Sequence, residues 1–240
     1  MTDRQATLAA RAGALRMTVQ ERILTTSIAG GEDSGLKLFA AGISAINSRL
    51  GELERATRSV VYNLQARLLF DPLRRERELD QRMAARGIQG HLLVSDRYNA
   101  RSMSLIAACH PDARIGPVEV SGLVVDERLA LFPGPLSPQG LPTAWLCHHP
   151  DLVTELCDLW AEMNRDATPI LDTPGLVRLN ERQLTIVNLL SQGYKDAAIA
   201  RLLGVSARTV TGDISRILDA LAVGTRWEAG LLIGQVSMPC

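Results

Sequence analysis

The stretch Ile199-Ala200-Arg201-Leu202-Leu203-Gly204-Val205-Ser206-Ala207-Arg208-Thr209-Val210 decides how the C-terminal region is read. Just before it, Asp196 is placed to cap a short helix that buries Ile199, Leu202 and Leu203. Gly204-Val205-Ser206 supplies a tight turn, and Ser206 caps a further helix that buries Val210, Ile214, Ile217 and Leu221. A short helix, a three-residue turn containing Gly and an amphipathic second helix make a helix-turn-helix. The opposite face of the second helix carries Arg208, Thr211, Gly212 and Ser215. Such a face suits a major groove, and the helix N-terminus offers amides and partial positive charge to phosphate. Upstream, Asn180 caps a helix with apolar positions Leu184, Val187 and Leu190, which Gly193 ends. From Leu176 to about Gly234 the pattern predicts four helices and needs no strand.

The rest of the composition bounds the possibilities. The 240 residues are 46% hydrophobic and 22% charged, which excludes a wholly disordered chain. No apolar run reaches the roughly 18 residues of a membrane span, and the charged, Ala-rich N-terminus has no signal core, so a cytoplasmic, nucleoid-associated protein without a membrane partner is expected. Four scattered cysteines make no disulfide framework. Formal net charge is zero, so any DNA contact must come from a local patch.

N-terminal to the tail, residues 1–35 read as a helix or dimer arm with Leu8, Leu15, Val19 and Ile23 in register, broken by Gly30 to Gly35. A second helix is predicted from about Leu36 to Arg58. Strands are predicted at Ser59–Leu64, Gly90–Ser95, Arg114–Ile115 with Val118–Val120, Leu123–Val125, Leu129–Phe132 and Thr143–Cys147, with a tight turn at Asp126-Glu127-Arg128. Helices are predicted from Asp71-Pro72 to Arg86-Gly87, over Ala100–Cys109, and over Pro150–Arg165 with Leu152, Leu156, Leu159, Trp160 and Met163 inward. Alternating strands and helices predict an α/β domain over 36–172, a mixed sheet with flanking helices, then a linker at 173–178 and an all-α four-helix domain over 179–236.

The tail resembles the LuxR-type helix-turn-helix family of bacterial transcription regulators. The resemblance rests on Leu179-Asn180-Glu181-Arg182, Leu189 to Gly193, Ile199 to Ser206, Arg208-Thr209-Val210, and Leu221-Ala222-Val223 before Thr225-Arg226. It implies double-stranded DNA as partner. Thr209 would contact a phosphate, Arg208 and Arg216 would lie near the backbone, and Thr211, Gly212 and Ser215 would face the bases. Lys195 and Ser206 complete the implied DNA-binding set, and Trp227, Leu231 and Leu232 on the fourth helix would form the surface of a homodimer. The departures are Thr185, Thr211 and Ser215, where the family commonly has Glu and basic residues, and Asp213, which adds a negative charge to the recognition helix. From Val177 onward seven basic and five acidic residues leave a net charge of +2. Gly212 costs the helix about 0.5–1 kcal/mol relative to Ala.

The middle of the chain resembles the TrmB-like, phospholipase-D-like fold found as a sensor in some LuxR-tailed regulators. The residues that carry this are Met83 to Ile88, Leu123 to Asp126 with Leu129 to Pro133, Leu159-Trp160 and Ala167-Thr168-Pro169. Phospholipase-D enzymes need a His nucleophile and a nearby Lys, whose places fall near Glu119 and Ser121, so a non-catalytic domain is expected. No cofactor and no metal site is expected; Cys147-His148-His149 with Cys157 matches no standard zinc spacing. The reading is therefore a dimeric, DNA-binding transcription regulator with a sensor or interaction domain, RNA polymerase and a small-molecule effector being further candidate partners. Two alternatives stay open: a quorum-sensing-type ligand in the N-terminal domain, and a helix-turn-helix that contacts a protein instead of DNA.

Overall fold

In the computed structural model, described for residues 3–29, 35–66, 75–97 and 100–237, eight strands form one mixed sheet in the order β1-β7-β6-β5-β2-β3-β4-β8. The strands are β1 Leu36–Ala41, β2 Val60–Gln65, β3 Gln89–Ser95, β4 Arg114–Gly116, β5 Gly122–Val125, β6 Leu129–Gly134, β7 Thr143–Cys147 and the two-residue β8 Thr168–Pro169. β2, β3 and β4 run parallel, whereas β1, β7, β6 and β5 pair antiparallel and β5 joins β2 antiparallel. Because side chains alternate across a strand, the sheet has two buried faces. On one, Leu64, Val124, Ala130, Phe132, Trp145 and Cys147 meet α1 (Asp3–Ala29) and α5 (Pro150–Arg165). On the other, Leu131 and Leu146 meet α2 (Ile43–Ala56), and Val61 and Val125 meet α3 (Arg75–Ala85).

The N-terminal helix packs on its own chain. Leu8, Ala12, Leu15, Val19 and Ile23 are buried in the sheet's core, and Arg11 on the flank donates to Glu155 at 3.0 Å and to Glu162 of α5. The break expected at 30–34 and the helix start at Asp71-Pro72 lie outside the described residues.

Two expectations are corrected here. The predicted helix over 36–58 begins instead with β1, and only Ile43–Ala56 is helical. Leu36–Ala41 pairs with β7, and a register shift between Leu38 and Ala40 hides the strand's period of two. Gly42, at φ 87°, then separates strand from helix, a conformation that favours Gly. Val118–Val120 is no strand: Val118 and Val120 are buried in the core, but Val118 donates to Gly116 O at 2.8 Å in a tight turn. The hairpin between β5 and β6 matches expectation, with Asp126 and Glu127 both in the left-handed region (φ 53° and 55°). The Asp126 carboxylate accepts N–H groups of Ser59 at 2.8 Å and Arg58 at 3.0 Å, which ties that turn to the start of β2.

The chain divides into two compact units. One contains residues 75–96 and 113–168 with the N-terminal 67 residues, and the other contains 97–112 and 169–240. Helix α4 (Ala100–Cys109), although spliced between β3 and β4, thus belongs with the C-terminal helices α6 (Glu181–Ser191), α7 (Asp196–Leu203), α8 (Ala207–Ala220) and α9 (Arg226–Ser237). Leu105 is fully buried in one cluster with Leu179, Leu184, Ile186, Ile199, Val210, Ile214, Ile217 and Leu221.

Candidate nucleic-acid interface

Local capping chemistry bounds several helices of the C-terminal unit. Asn180 caps α6 by accepting the Gln183 N–H at 3.0 Å, and Gln183 returns the bond to the Asn180 N–H at 2.9 Å, a reciprocal capping box. α7 ends at Gly204, φ 64°, where the Val205 N–H reaches Ala200 O at 3.0 Å and the Gly204 N–H reaches Arg201 O at 3.3 Å. This Schellman-type closure turns the chain sharply into α8. Ser206 then caps α8 by accepting the Thr209 N–H at 3.1 Å. A second reciprocal box, not anticipated from sequence, opens α9: Thr225 accepts the Glu228 N–H and Glu228 accepts the Thr225 N–H, both at 3.1 Å.

Two expectations for α7 fail. Asp196 is its first residue and not its cap; Lys195 holds the cap position without a side-chain bond. The Asp196 carboxylate is occupied by Arg226, two bonds of 2.7 and 2.8 Å, which link the starts of α7 and α9. This partner, outweighing partial burial, holds the Asp196 carboxyl below its usual range. Leu202, expected to be buried, is 59% exposed, while Ile199 is fully buried as predicted.

On α8, Val210, Ile214, Ile217 and Leu221 are all buried as the periodicity predicts. Arg208, Thr211 and Ser215 are exposed on the opposite face, with Gly212 half-buried among them and nothing within 4 Å of where its Cβ would stand. The structure therefore brings these four together on one surface, spaced at i, i+3, i+4 and i+7. Ser206 and Lys195 are exposed. Thr209 is half-buried and its hydroxyl lies 2.9 Å from that of Ser206, so the two hydroxyls share one hydrogen bond at the helix start. The Thr211 hydroxyl turns back to Ala207 O at 3.1 Å.

Asp213 departs most from expectation. It is not a surface charge: its side chain is wholly buried between Arg182 of α6, 2.6 Å away, and Arg216, 3.2 Å away. The Arg182 guanidinium is the main reason its carboxyl sits below the usual range, against the opposing effect of burial, and Arg216 adds to it. Sequence did hold a signal for this. Asp213 stands three residues after Val210 and four before Ile217, on the buried stripe.

On α9, Trp227 is 76% and Leu231 52% exposed, while Leu232 is half-buried and packs on the unit's own core. Elsewhere, the Ser121 hydroxyl accepts the Ala66 N–H at 3.1 Å. Cys157 lies half-buried on α5, where burial, with Glu127 and Asp158, pushes its thiol up to about 11, out of the reactive range. Among the described residues no group of three or more His, Cys, Asp and Glu side chains is placed to hold a metal ion, and no helix is long and apolar enough to cross a membrane.

The closed turn, the capped second helix and its exposed face, carried on α6 and α9, define a helix-turn-helix DNA-binding domain. Residues 177–232 match the family of bacterial regulatory proteins known as the luxR family (GerE), so the chain carries a LuxR-family domain at its C-terminus. Over 84 residues, 35% of this chain, it is 32% identical to the bialaphos biosynthetic pathway regulatory protein of Streptomyces hygroscopicus. That match spans 31% of the relative's length. Among solved structures, similarity is found to NUC, a phospholipase D family member from Salmonella typhimurium, at 10% identity and TM-score 0.42, over 56% of this chain and 97% of that one. It is also found to TrmBL2, an archaeal chromatin protein, at 12% identity and TM-score 0.39, over 70% and 67% of the two chains.

Proposed function

We propose that the protein is a sequence-specific transcription regulator that binds DNA as a homodimer and whose sheet unit is a non-catalytic sensor or interaction module. The observation that carries this reading is the surface of α8. Arg208, Thr211, Gly212 and Ser215 line one exposed side of a helix whose other side is fully packed. Thr211, Gly212 and Ser215 face base edges; Arg208, Arg216 and Lys195 meet phosphates. Ser206 and Thr209 present the N-terminal amides of α8 to the backbone. Trp227 and Leu231 supply the apolar centre of the dimer contact, with Leu232 holding α9 to its own domain. Such a dimer reads two half-sites about one helical turn apart. The residues at the places of a phospholipase-D nucleophile and its Lys, Glu119 and Ser121, support a role without hydrolysis. The protein then works where the chromosome is, in the cytoplasm, with RNA polymerase and a small-molecule effector as further partners.

Selection of bound duplexes from a random pool by the full chain tests this. Enrichment of an inverted repeat, lost in Arg208→Ala, is the expected result. Enrichment of nothing at low salt overturns the DNA reading in favour of a protein partner for α8.

A further inference from the structure

A carboxylate on a DNA-reading helix repels phosphate if it is exposed, and here it is not. Asp213 is 0% exposed, and both its oxygens are engaged. Oδ2 accepts from Arg182 Nε at 2.6 Å; Oδ1 accepts from Arg182 Nη2 at 3.3 Å and from Arg216 Nη1 at 3.2 Å. Arg182 sits in the first turn of α6 and Arg216 one turn along α8, so the carboxylate binds one helix to the other and to its own next turn. Burying charge is costly, and an apolar residue of similar size would pack the same site at less cost. What the carboxylate adds is direction. Two-point contact with Arg182 fixes the rotation of α8 on α6, which an apolar contact leaves softer. The contact with Arg216 restrains a side chain that otherwise samples many rotamers, while 68% of that side chain remains exposed. A guanidinium ordered in advance loses less entropy on meeting an acceptor. It also has five N–H donors, more than the contact with Asp213 uses.

We propose that Asp213, held by Arg182, is a positioning residue that aligns α8 and holds Arg216 ready for a phosphate of the DNA backbone. This rests on the DNA-binding reading above. The proposal makes a prediction whose sign is opposite to simple charge counting. Asp213→Asn raises the net charge by one, which on electrostatics alone tightens DNA binding. If Asp213 positions, the same change weakens it.

The test uses the full chain and the duplex that the wild type enriches from a random pool. Asp213→Asn is expected to weaken binding to that duplex about tenfold, and the ratio of selected to random-duplex affinity falls with it. Arg216→Ala is expected to lower the slope of log K against log salt by about 0.9, one phosphate contact. The double variant should lose less than the sum of the two single losses, since part of the effect of Asp213 passes through Arg216. Arg182→Lys keeps the charge but loses the two-point grip, and should weaken binding in the same direction even if Asp213→Asn fails to fold. Binding by Asp213→Asn as tight as or tighter than wild type overturns the proposal. So do additive losses in the double variant, or an unchanged affinity for Arg182→Lys. If the wild-type chain enriches no duplex at all, the DNA-binding reading has failed and this inference falls with it; loss of the inference alone leaves wild-type enrichment intact.

Discussion

The Ser104 hydroxyl accepts the backbone N–H of Val177 at 3.2 Å, which ties α4 to the segment leading into α6. The next residue, Leu105, is fully buried in the core of the DNA-binding unit, and Ala108 and Cys109 pack beside it. The core of the helix-turn-helix is therefore completed by a helix that lies, along the chain, between β3 and β4. Leu105→Ala in the full chain is expected to destabilise that unit by about 2–5 kcal/mol, as buried Leu truncations do. Hydrogen exchange should show lost protection in α6 to α9 and little change in β5 to β7. Residues 176–240 alone, lacking α4, should melt at a lower temperature than the same helices in the intact protein.

Gly212→Ala separates helix stability from DNA contact. A Cβ there meets nothing within 4 Å, so the gain in helix propensity is unopposed. The expected result is about 0.5–1 kcal/mol of added stability, read from denaturant midpoints. If the backbone at Gly212 approaches the groove closely, affinity for the selected duplex falls in the same variant.

Trp227 and Leu231 test the dimer. Both are largely exposed, so Trp227→Ala with Leu231→Ser should change the stability of the monomer by no more than about 0.5 kcal/mol. Sedimentation velocity should show the dimer dissociating at concentrations at least about tenfold higher than for wild type.

Acid should weaken the C-terminal unit through Asp196 and Asp213. Both carboxyls sit below their usual range in the folded protein, each because an Arg hydrogen-bonds to the charged form. A depressed folded value means that the stabilisation is complete above the unfolded value, about 3.9, and is lost as pH falls through the folded value. Asp196→Asn should therefore be less stable than wild type at pH 7, with a shallower loss between roughly pH 5 and pH 2. Chemical denaturation of the two proteins over that range checks it.

Much of this architecture was legible along the chain. Residues 100–109, 143–147 and 150–165 form the elements their patterns predict, because helix and strand periods and a helix-starting Pro are local signals. Asn180 and Ser206 cap as expected, since an N-cap bond spans only three residues. β1 is not legible in the sequence because its partner lies over 100 residues away and a bulge breaks its alternation. The role of Asp196 is not legible either, because a capping residue and an ion-pairing one look alike until Arg226 is brought beside it.

The helix-turn-helix, with its closed turn, packed stripe and exposed Arg208, Thr211, Ser215 face, follows from residue spacing within a few turns of helix. That α4 completes that core and that Asp213 lies buried between two arginines emerges first in the folded chain. Both depend on side chains far apart in the chain meeting in one core, where the loss of water makes an unpaired charge untenable and an apolar side chain such as Leu105 stabilising.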